Sequence, residues 1–196
     1  MLITPRQSAT TTTTAAAATA TLLPLDDENE FVYLDPPSVN DFDDSLPKIA
    51  SPRDIDLSFM KADKIMRYEL EQLSMEKFIF TNGSADHAAN ILTHLGVYDL
   101  FGRDKVFDIK DAGYVPKPEA ETFDSMVKKF GIDPKETIYI EDIAKNLSIG
   151  YERGCATVWL INDEHFGKMD ADKDFISHKI ENLSLFLKEI RLLKSQ

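Results

Sequence analysis

The chain has 196 residues, of which 43% are hydrophobic and 29% are charged, a composition typical of one soluble globular domain with a short appendage. Its 34 acidic and 22 basic residues give a formal net charge of −12, which excludes a nucleic-acid backbone or an anionic membrane surface as the expected partner. The single cysteine, Cys155, excludes an internal disulfide framework and a multi-cysteine zinc site.

Residues 1–51 are predicted to lie outside the folded core, as a low-complexity, disordered or otherwise unrelated extension. Thr and Ala dominate residues 10–21, a composition that predicts disorder or, as the alternative, an organelle transit peptide. The expected location is therefore the cytoplasm, or an organelle if residues 1–25 are a transit peptide. The apolar run Phe31–Leu34 resembles a short strand that ends at Asp35.

From residue 52 onward the sequence becomes regular. Apolar residues near helical spacing predict a helix within residues 56–73. Beyond it, strands are predicted at 77–81, 105–109, 137–141, 156–161 and 176–180. Helices are predicted at 84–95, 118–130, 146–153 and 184–193, with caps at Ser84 and near Asn182. This alternation is typical of parallel βαβ units and predicts an α/β fold, a Rossmann-like three-layer parallel sheet.

Polar side chains follow three of the predicted strands or their loops. Thr81 and Asn82 end the first strand, Lys117 lies in the next loop, and Glu141 and Asp142 end the strand TIYIE, with Asn146 shortly after. A βαβ unit takes roughly 30 residues, and these positions are separated by about that distance. Because ligands bind at the carboxyl ends of parallel strands, we expect these groups to lie together.

The chemistry of these groups indicates a phosphate site. A Thr hydroxyl and backbone N–H groups donate to phosphoryl oxygens, an ammonium group neutralises their charge, and adjacent carboxylates suit Mg²⁺. Each residue alone has an ordinary structural interpretation: Ser84 as a helix cap, His87 as a helical residue, Trp159 as core. Only the joint pattern is specific.

Three segments carry a resemblance to a known family. FTNGS (80–84), VPKPEAETF (115–123) and YIEDIAKN (139–146) resemble, in order, the second, third and fourth motifs of the haloacid dehalogenase-like hydrolase superfamily. The match runs from about residue 53 to 190, and more narrowly it resembles the pyrimidine 5′-nucleotidase-type phosphatases. The resemblance divides the chain into a remnant of a helical cap at 52–76 and a hydrolase core at 77–196.

The resemblance implies a magnesium-dependent phosphatase acting on a small phosphorylated metabolite, a pyrimidine 5′-nucleotide. Thr81 and the backbone of Asn82 would bind the phosphoryl group, and Lys117 would hold the phosphate and the nucleophile. Asp142 would bind Mg²⁺ with Glu141 as a ligand or outer partner, and Asn146 would orient that loop.

The first motif of that family, Asp-x-Asp-x-Thr after an apolar strand, has no good match. Its first Asp is the nucleophile that forms an aspartyl-phosphate, and its second is the general acid/base. DFDDS (41–45) and DIDLS (54–58) have fitting letters without the required context. Asp35 follows a strand-like run and is the remaining nucleophile candidate, although Pro37 stands where the acid/base belongs.

Two interpretations therefore remain open. The chain is a magnesium-dependent phosphatase, or it is a catalytically incomplete fragment or pseudoenzyme that retains phosphate or metal binding. In this fold the motif-one strand lies between the strands that end at Thr81 and Glu141, so either Phe31–Leu34 fills that position or the strand is missing. A phospho-accepting receiver domain has its acids before its Thr and Lys, the opposite of the order here. The oligomeric state is not predicted.

Overall fold

The computed structural model describes residues 1–5, 57 and 59–194. The described residues form six strands and five α-helices. In chain order these are β1 (Leu2–Thr4), α1 (Lys64–Gln72), β2 (Glu76–Phe80), α2 (Ala85–His94), β3 (Val106–Phe107), α3 (Ala120–Phe130), β4 (Ile138–Glu141), α4 (Ser148–Glu152), β5 (Ala156–Leu160), β6 (His178–Ile180) and α5 (Leu183–Lys194). Short 3₁₀ turns cover Tyr98–Leu100, Pro134–Glu136 and Ala144–Leu147.

One six-stranded sheet forms the middle layer, with the order β3-β2-β1-β4-β5-β6. Strand β2 is parallel to β3, and β4, β5 and β6 are parallel to one another. Strand β1 is antiparallel to both of its neighbours, since Leu2 pairs with Phe78 on one side and Tyr139 on the other. The predicted Rossmann-like α/β core is confirmed, with a mixed sheet where an all-parallel one was expected.

The strand in the central position comes from the start of the chain. The sequence placed residues 1–51 outside the core and considered Phe31–Leu34 for this position, but Leu2 and Ile3 fill it and have no solvent exposure. The prediction for residues 1–5 was wrong because three residues are too few to show a strand periodicity. Residues 31–34 lie outside the described part of the chain.

The sheet is covered on both faces, and β1 contributes to each. Leu2 packs into an aromatic-rich cluster with side chains of β2, β3, β4, α3 and the 3₁₀ turn before α4, namely Phe78, Phe80, Phe107, Tyr139, Phe123, Met126 and Leu147. Ile3 packs on the other face, in a cluster with α1 and α5 that contains Met66, Leu70, Val97, Ile140, Val158 and Leu187. Adjacent strand residues point to opposite faces, so the Leu-Ile pair supplies both layers.

Helix α1 belongs to the core, although the sequence predicted the remnant of a cap at 52–76. Met66 and Leu70 are buried against the sheet, and Glu69 accepts a 2.6 Å hydrogen bond from Arg191 of α5. The helix begins at Asp63, whose carboxylate accepts hydrogen bonds from the backbone N–H groups of Ile65 and Met66. This cap sets the start of α1 inside the predicted range of 56–73.

The predicted caps and ends of the other helices agree with the structure. Ser84 accepts from the N–H of His87 at the start of α2, and Asn182 accepts from the N–H of Leu185 in α5. Strand β3 is shorter than predicted because the buried Asp108 accepts hydrogen bonds from the N–H groups of Ala85 and Asp111, which turns the chain out of the sheet. In residues 1–5, 57 and 59–194, none of the helices is long and apolar enough to span a bilayer.

Candidate functional site

A cavity of about 330 Å³ lies at the carboxyl ends of β2, β4 and β5. Its walls contain Met1, Phe80, Thr81, Lys117, Ile140, Glu141, Asp142, Leu160 and Leu183. Four of the residues singled out in the sequence, Thr81, Lys117, Glu141 and Asp142, therefore line one cavity. They reach it because β2 and β4 run in the same direction and both end at this edge of the sheet.

A buried ion pair joins Lys117 to Glu141 at the base of the cavity, with only 6% and 7% of the two side chains exposed. The Lys117 ammonium also donates to the carbonyl oxygen of Phe80 at 2.9 Å and lies 4.9 Å from the centre of that residue's ring. Glu141 Oε1 further accepts from Asn146 Nδ2 at 3.2 Å and from the Tyr139 hydroxyl at 3.4 Å. Asn146 is thus in contact with Glu141, and its role in orienting this loop stays a prediction.

These contacts set the protonation of the two carboxylates. Burial alone would raise the pKa of Glu141, but the positive charges of Lys117 and the Met1 amino group outweigh it and lower that pKa to about 2. The pKa of Asp142 is raised, first by partial burial and then by the neighbouring Glu141 carboxylate. Tyr139 has a raised pKa because it is buried beside Glu141, so it remains a hydrogen-bond donor. Nothing in the sequence distinguishes Tyr139 from an ordinary aromatic residue of a strand.

Thr81 and Asn82 connect the end of β2 to the Lys117 loop. Thr81 Oγ1 accepts from the N–H of Gly83 at 2.9 Å, which leaves the hydroxyl hydrogen free to donate. Asn82 Oδ1 accepts from the backbone N–H of Lys117 at 2.7 Å, and its Nδ2 donates to the Lys117 carbonyl at 3.4 Å. The Asn82 side chain therefore holds the Lys117 backbone, a contact that the sequence did not suggest.

Met1 lies between the ends of β2 and β4, where the family resemblance predicts the nucleophile. Because β1 is antiparallel, its amino end reaches the cavity, and the Met1 amino group donates to the Ile140 carbonyl at 2.8 Å. Burial lowers the pKa of this amino group to about 6, against the opposing effect of Glu141. The nucleophile candidate Asp35 lies outside the described residues, as do the segments 41–45 and 54–56.

Comparison with known proteins agrees with this geometry. Residues 56–150, a little under half of the chain, match a family model described as haloacid dehalogenase-like hydrolase. The matched range contains Thr81, Lys117, Glu141 and Asp142 and runs from before α1 into α4. The chain has the haloacid dehalogenase-like hydrolase fold.

Solved structures with this fold include three with similar cores. A haloacid dehalogenase family hydrolase from Deinococcus radiodurans R1, with bound phosphate and sodium, is 18% identical with a TM-score of 0.55 over 69% of this chain and 59% of that one. A haloacid dehalogenase-like protein of unknown function from Agrobacterium tumefaciens has 18% identity and a TM-score of 0.52 over 66% and 59%. L-2-haloacid dehalogenase from Xanthobacter autotrophicus has 15% identity and a TM-score of 0.51 over 65% and 63%. The chain spans less than two thirds of each.

The carboxylates of this haloacid dehalogenase-like core do not by themselves fit a Mg²⁺ site. Among residues 1–5, 57 and 59–194, no group of three His, Cys, Asp or Glu side chains is close enough to hold a metal ion. Glu141 Oε1 accepts from Lys117 and Asn146, and its Oε2 accepts from the backbone N–H of Asp142 at 3.1 Å. The Asp142 carboxylate is therefore the cavity's available metal ligand in the described part of the chain, and Mg²⁺ needs about six oxygen ligands.

The depressed pKa of Glu141 predicts acid sensitivity of the core. A carboxyl whose pKa falls from 4.5 to about 2 on folding stabilises the folded state fully above its unfolded pKa. That contribution is lost as the pH falls through the folded value. We expect the urea midpoint to fall more steeply between pH 5 and pH 2 in the parent protein than in Glu141→Gln. Glu164→Gln, at an exposed position, serves as the control and should keep the parent's pH profile.

Proposed function

We propose that this cavity binds the phosphoryl group of a small phosphate monoester. The observation that carries the proposal is the convergence of Thr81, Lys117 and Asp142, from three separate strand ends and loops, on one cavity of about 330 Å³. The Thr81 hydroxyl would donate to a phosphoryl oxygen, and the Lys117 ammonium would attract the dianion. The apolar walls from Leu160 and Leu183 would face the organic part of the ester.

The charges in the cavity explain why a cation would assist this binding. The positive charge of Lys117 is already balanced by Glu141, and Asp142 adds a negative charge when ionised. A phosphate dianion would therefore enter a site with no net positive charge from these three side chains. Mg²⁺ is proposed as the cofactor with most of its ligands from phosphate, water or residues outside the described part of the chain, because Asp142 alone among the described residues offers it a carboxylate in this cavity. Because the pKa of Asp142 is raised, ionisation of that carboxyl at higher pH would favour a cation and, without one, oppose the phosphate dianion.

Hydrolysis of the ester is a further part of the proposal. The ester proposed is a pyrimidine 5′-nucleotide, and the route is an aspartyl-phosphate with Asp35 as the nucleophile candidate. The competing proposal is a catalytically incomplete protein that binds phosphate without turnover. Met1 favours this second proposal, because it lies beside the end of the central strand in the cavity wall and its thioether side chain cannot form an acyl phosphate. A cytoplasmic location stays a prediction from composition.

Titration with inorganic phosphate, followed by calorimetry with and without Mg²⁺, tests the binding proposal. Thr81→Val keeps the side-chain shape and removes the hydroxyl, so we expect it to weaken phosphate binding about fivefold to tenfold. Thr93→Val is the matched control, since the Thr93 hydroxyl donates to the Ala89 carbonyl within α2, away from the cavity. Failure of the parent protein to bind phosphate under either condition overturns the proposal.

Phosphate release from a pyrimidine 5′-monophosphate, measured with Mg²⁺ and with EDTA, distinguishes the two versions. Magnesium-dependent release that is lost in Asp35→Asn supports the phosphatase. Binding without release supports the catalytically incomplete protein. Release that persists in Asp35→Asn excludes that residue as the nucleophile.

A further inference from the structure

The carbonyl oxygen of Asp142 accepts hydrogen bonds from two side chains at once. Trp159 Nε1 donates to it at 3.0 Å, and Asn162 Nδ2 donates to it at 2.6 Å. Trp159 lies on β5 with 5% of its surface exposed, and Asn162 follows just after the end of that strand. A buried indole N–H needs one acceptor, which explains the first bond. The second hydrogen bond comes from the half-buried Asn162 side chain, which no buried polar group of the core needs as a partner.

The other side of Asp142 is held as well. Its backbone N–H donates to Glu141 Oε2 at 3.1 Å, so both the amide and the carbonyl of this residue have fixed partners. Asp142 lines the cavity and is exposed as a whole residue, while its carboxylate is partly buried. These contacts therefore fix the position of the Asp142 backbone, and the oxygens of its carboxylate remain available to a ligand.

Asn162 is in turn held by its own loop. Its Oδ1 accepts from the N–H of Glu164 at 3.0 Å, which orients the amide so that Nδ2 faces Asp142. Gly167 packs so closely that a Cβ there would lie 2.2 Å from Asn162 Oδ1. The Gly167 carbonyl accepts from the N–H of Ala144 at 3.0 Å, two residues beyond Asp142. The segment 162–167 thus contacts the turn after β4 at two points.

We propose that Trp159 and Asn162 are positioning residues for Asp142, fixing its backbone so that its carboxylate faces the phosphoryl site. This inference rests on the proposed function for the role of Asp142, and on the structure alone for the two hydrogen bonds. The sequence interpretation had assigned Trp159 only to the core. Its side chain serves both purposes, since the ring packs in the aromatic-rich cluster and the N–H reaches the turn after β4.

The test uses Asn162→Ala and Trp159→Phe in the full chain. Two measurements are made: hydrogen exchange of the Asp142 amide by NMR, and inorganic phosphate binding by calorimetry. Thr157→Val is the matched control, because Thr157 also lies on β5 and donates its hydroxyl to a backbone carbonyl, that of Phe175 at 2.6 Å, outside the cavity. Urea unfolding of all three variants gives the stability against which local effects are judged.

We expect Asn162→Ala to speed exchange of the Asp142 amide about tenfold and to weaken phosphate binding about fivefold to tenfold, with Trp159→Phe in the same direction. Thr157→Val should change neither beyond its effect on global stability. Unchanged exchange at Asp142 in both variants overturns the inference, and so does an equal effect in Thr157→Val. If the parent protein binds no phosphate, the proposed function fails, while the exchange measurement still decides whether these residues position Asp142.

Discussion

Replacing Lys117 with Met is expected to lower the free energy of unfolding by about 3–5 kcal/mol at pH 7, because it leaves the Glu141 carboxylate buried without its cation. The methionine retains most of the apolar stem that packs near Phe80, so the change isolates the charge. Urea unfolding measured by circular dichroism provides the free energy. The double variant Lys117→Met/Glu141→Gln should recover most of the loss, since it removes the unpaired charge.

Lys105→Met is the comparison for this prediction. Lys105 forms a 2.9 Å ion pair with Glu76, but both side chains are about 30% exposed. Such a pair contributes about 0–1 kcal/mol, so its loss should be small. A Lys117→Met protein as stable as Lys105→Met would contradict the buried ion pair at the base of the cavity.

Replacing Ile3 with Ala is expected to lower the free energy of unfolding by about 2–5 kcal/mol, because it removes buried methyl groups from the middle of the sheet and leaves a cavity. The residue is fully buried between α1, α5 and the sheet. Thermal or urea unfolding measures the effect. The result distinguishes between a core position for Ile3, as in the structure, and the sequence-based interpretation. In that interpretation residues 1–51 lie outside the core and the substitution would change stability little.

Ile65→Ala is the control for the substitution at Ile3. Ile65 lies on α1 with 62% of its surface exposed, so the same change of residue there should alter stability by about 0.5 kcal/mol or less. Equal effects at positions 3 and 65 would show that β1 does not contribute to the folded core.

Much of this fold was predictable because its signals are local. The βαβ alternation, the Ser84 and Asn182 caps, and the strand ends at Thr81 and Glu141 all follow from periodicity and capping within short windows. The grouping of Thr81, Lys117, Glu141 and Asp142 follows from the rule that parallel strands end at one edge. Their roles in binding stay predictions, since only their positions are described.

What could not be predicted depends on contacts between distant segments. Nothing within Leu2–Thr4 indicates that it pairs with β2 and β4, because a three-residue run carries no periodicity and its partners are far along the chain. The same holds for Asn82 against the Lys117 backbone and for Trp159 against the Asp142 carbonyl. Each of these side chains has an ordinary local interpretation, as a turn residue or a core aromatic, and its second contact is set by tertiary packing.

The reversed central strand has a consequence for how the molecule assembles. In the described ladder, β2–β3 and β4–β5–β6 form two separate parallel groups that share no direct pairing, and β1 is the strand that hydrogen-bonds to both. Joining them requires residue 2 to pair with partners at 78 and 139, and closing such long loops has an entropic cost that slows folding. A chain without those three residues would leave one edge of β2 and one edge of β4 unpaired. Unpaired strand edges are the sites at which sheets most readily pair with other chains.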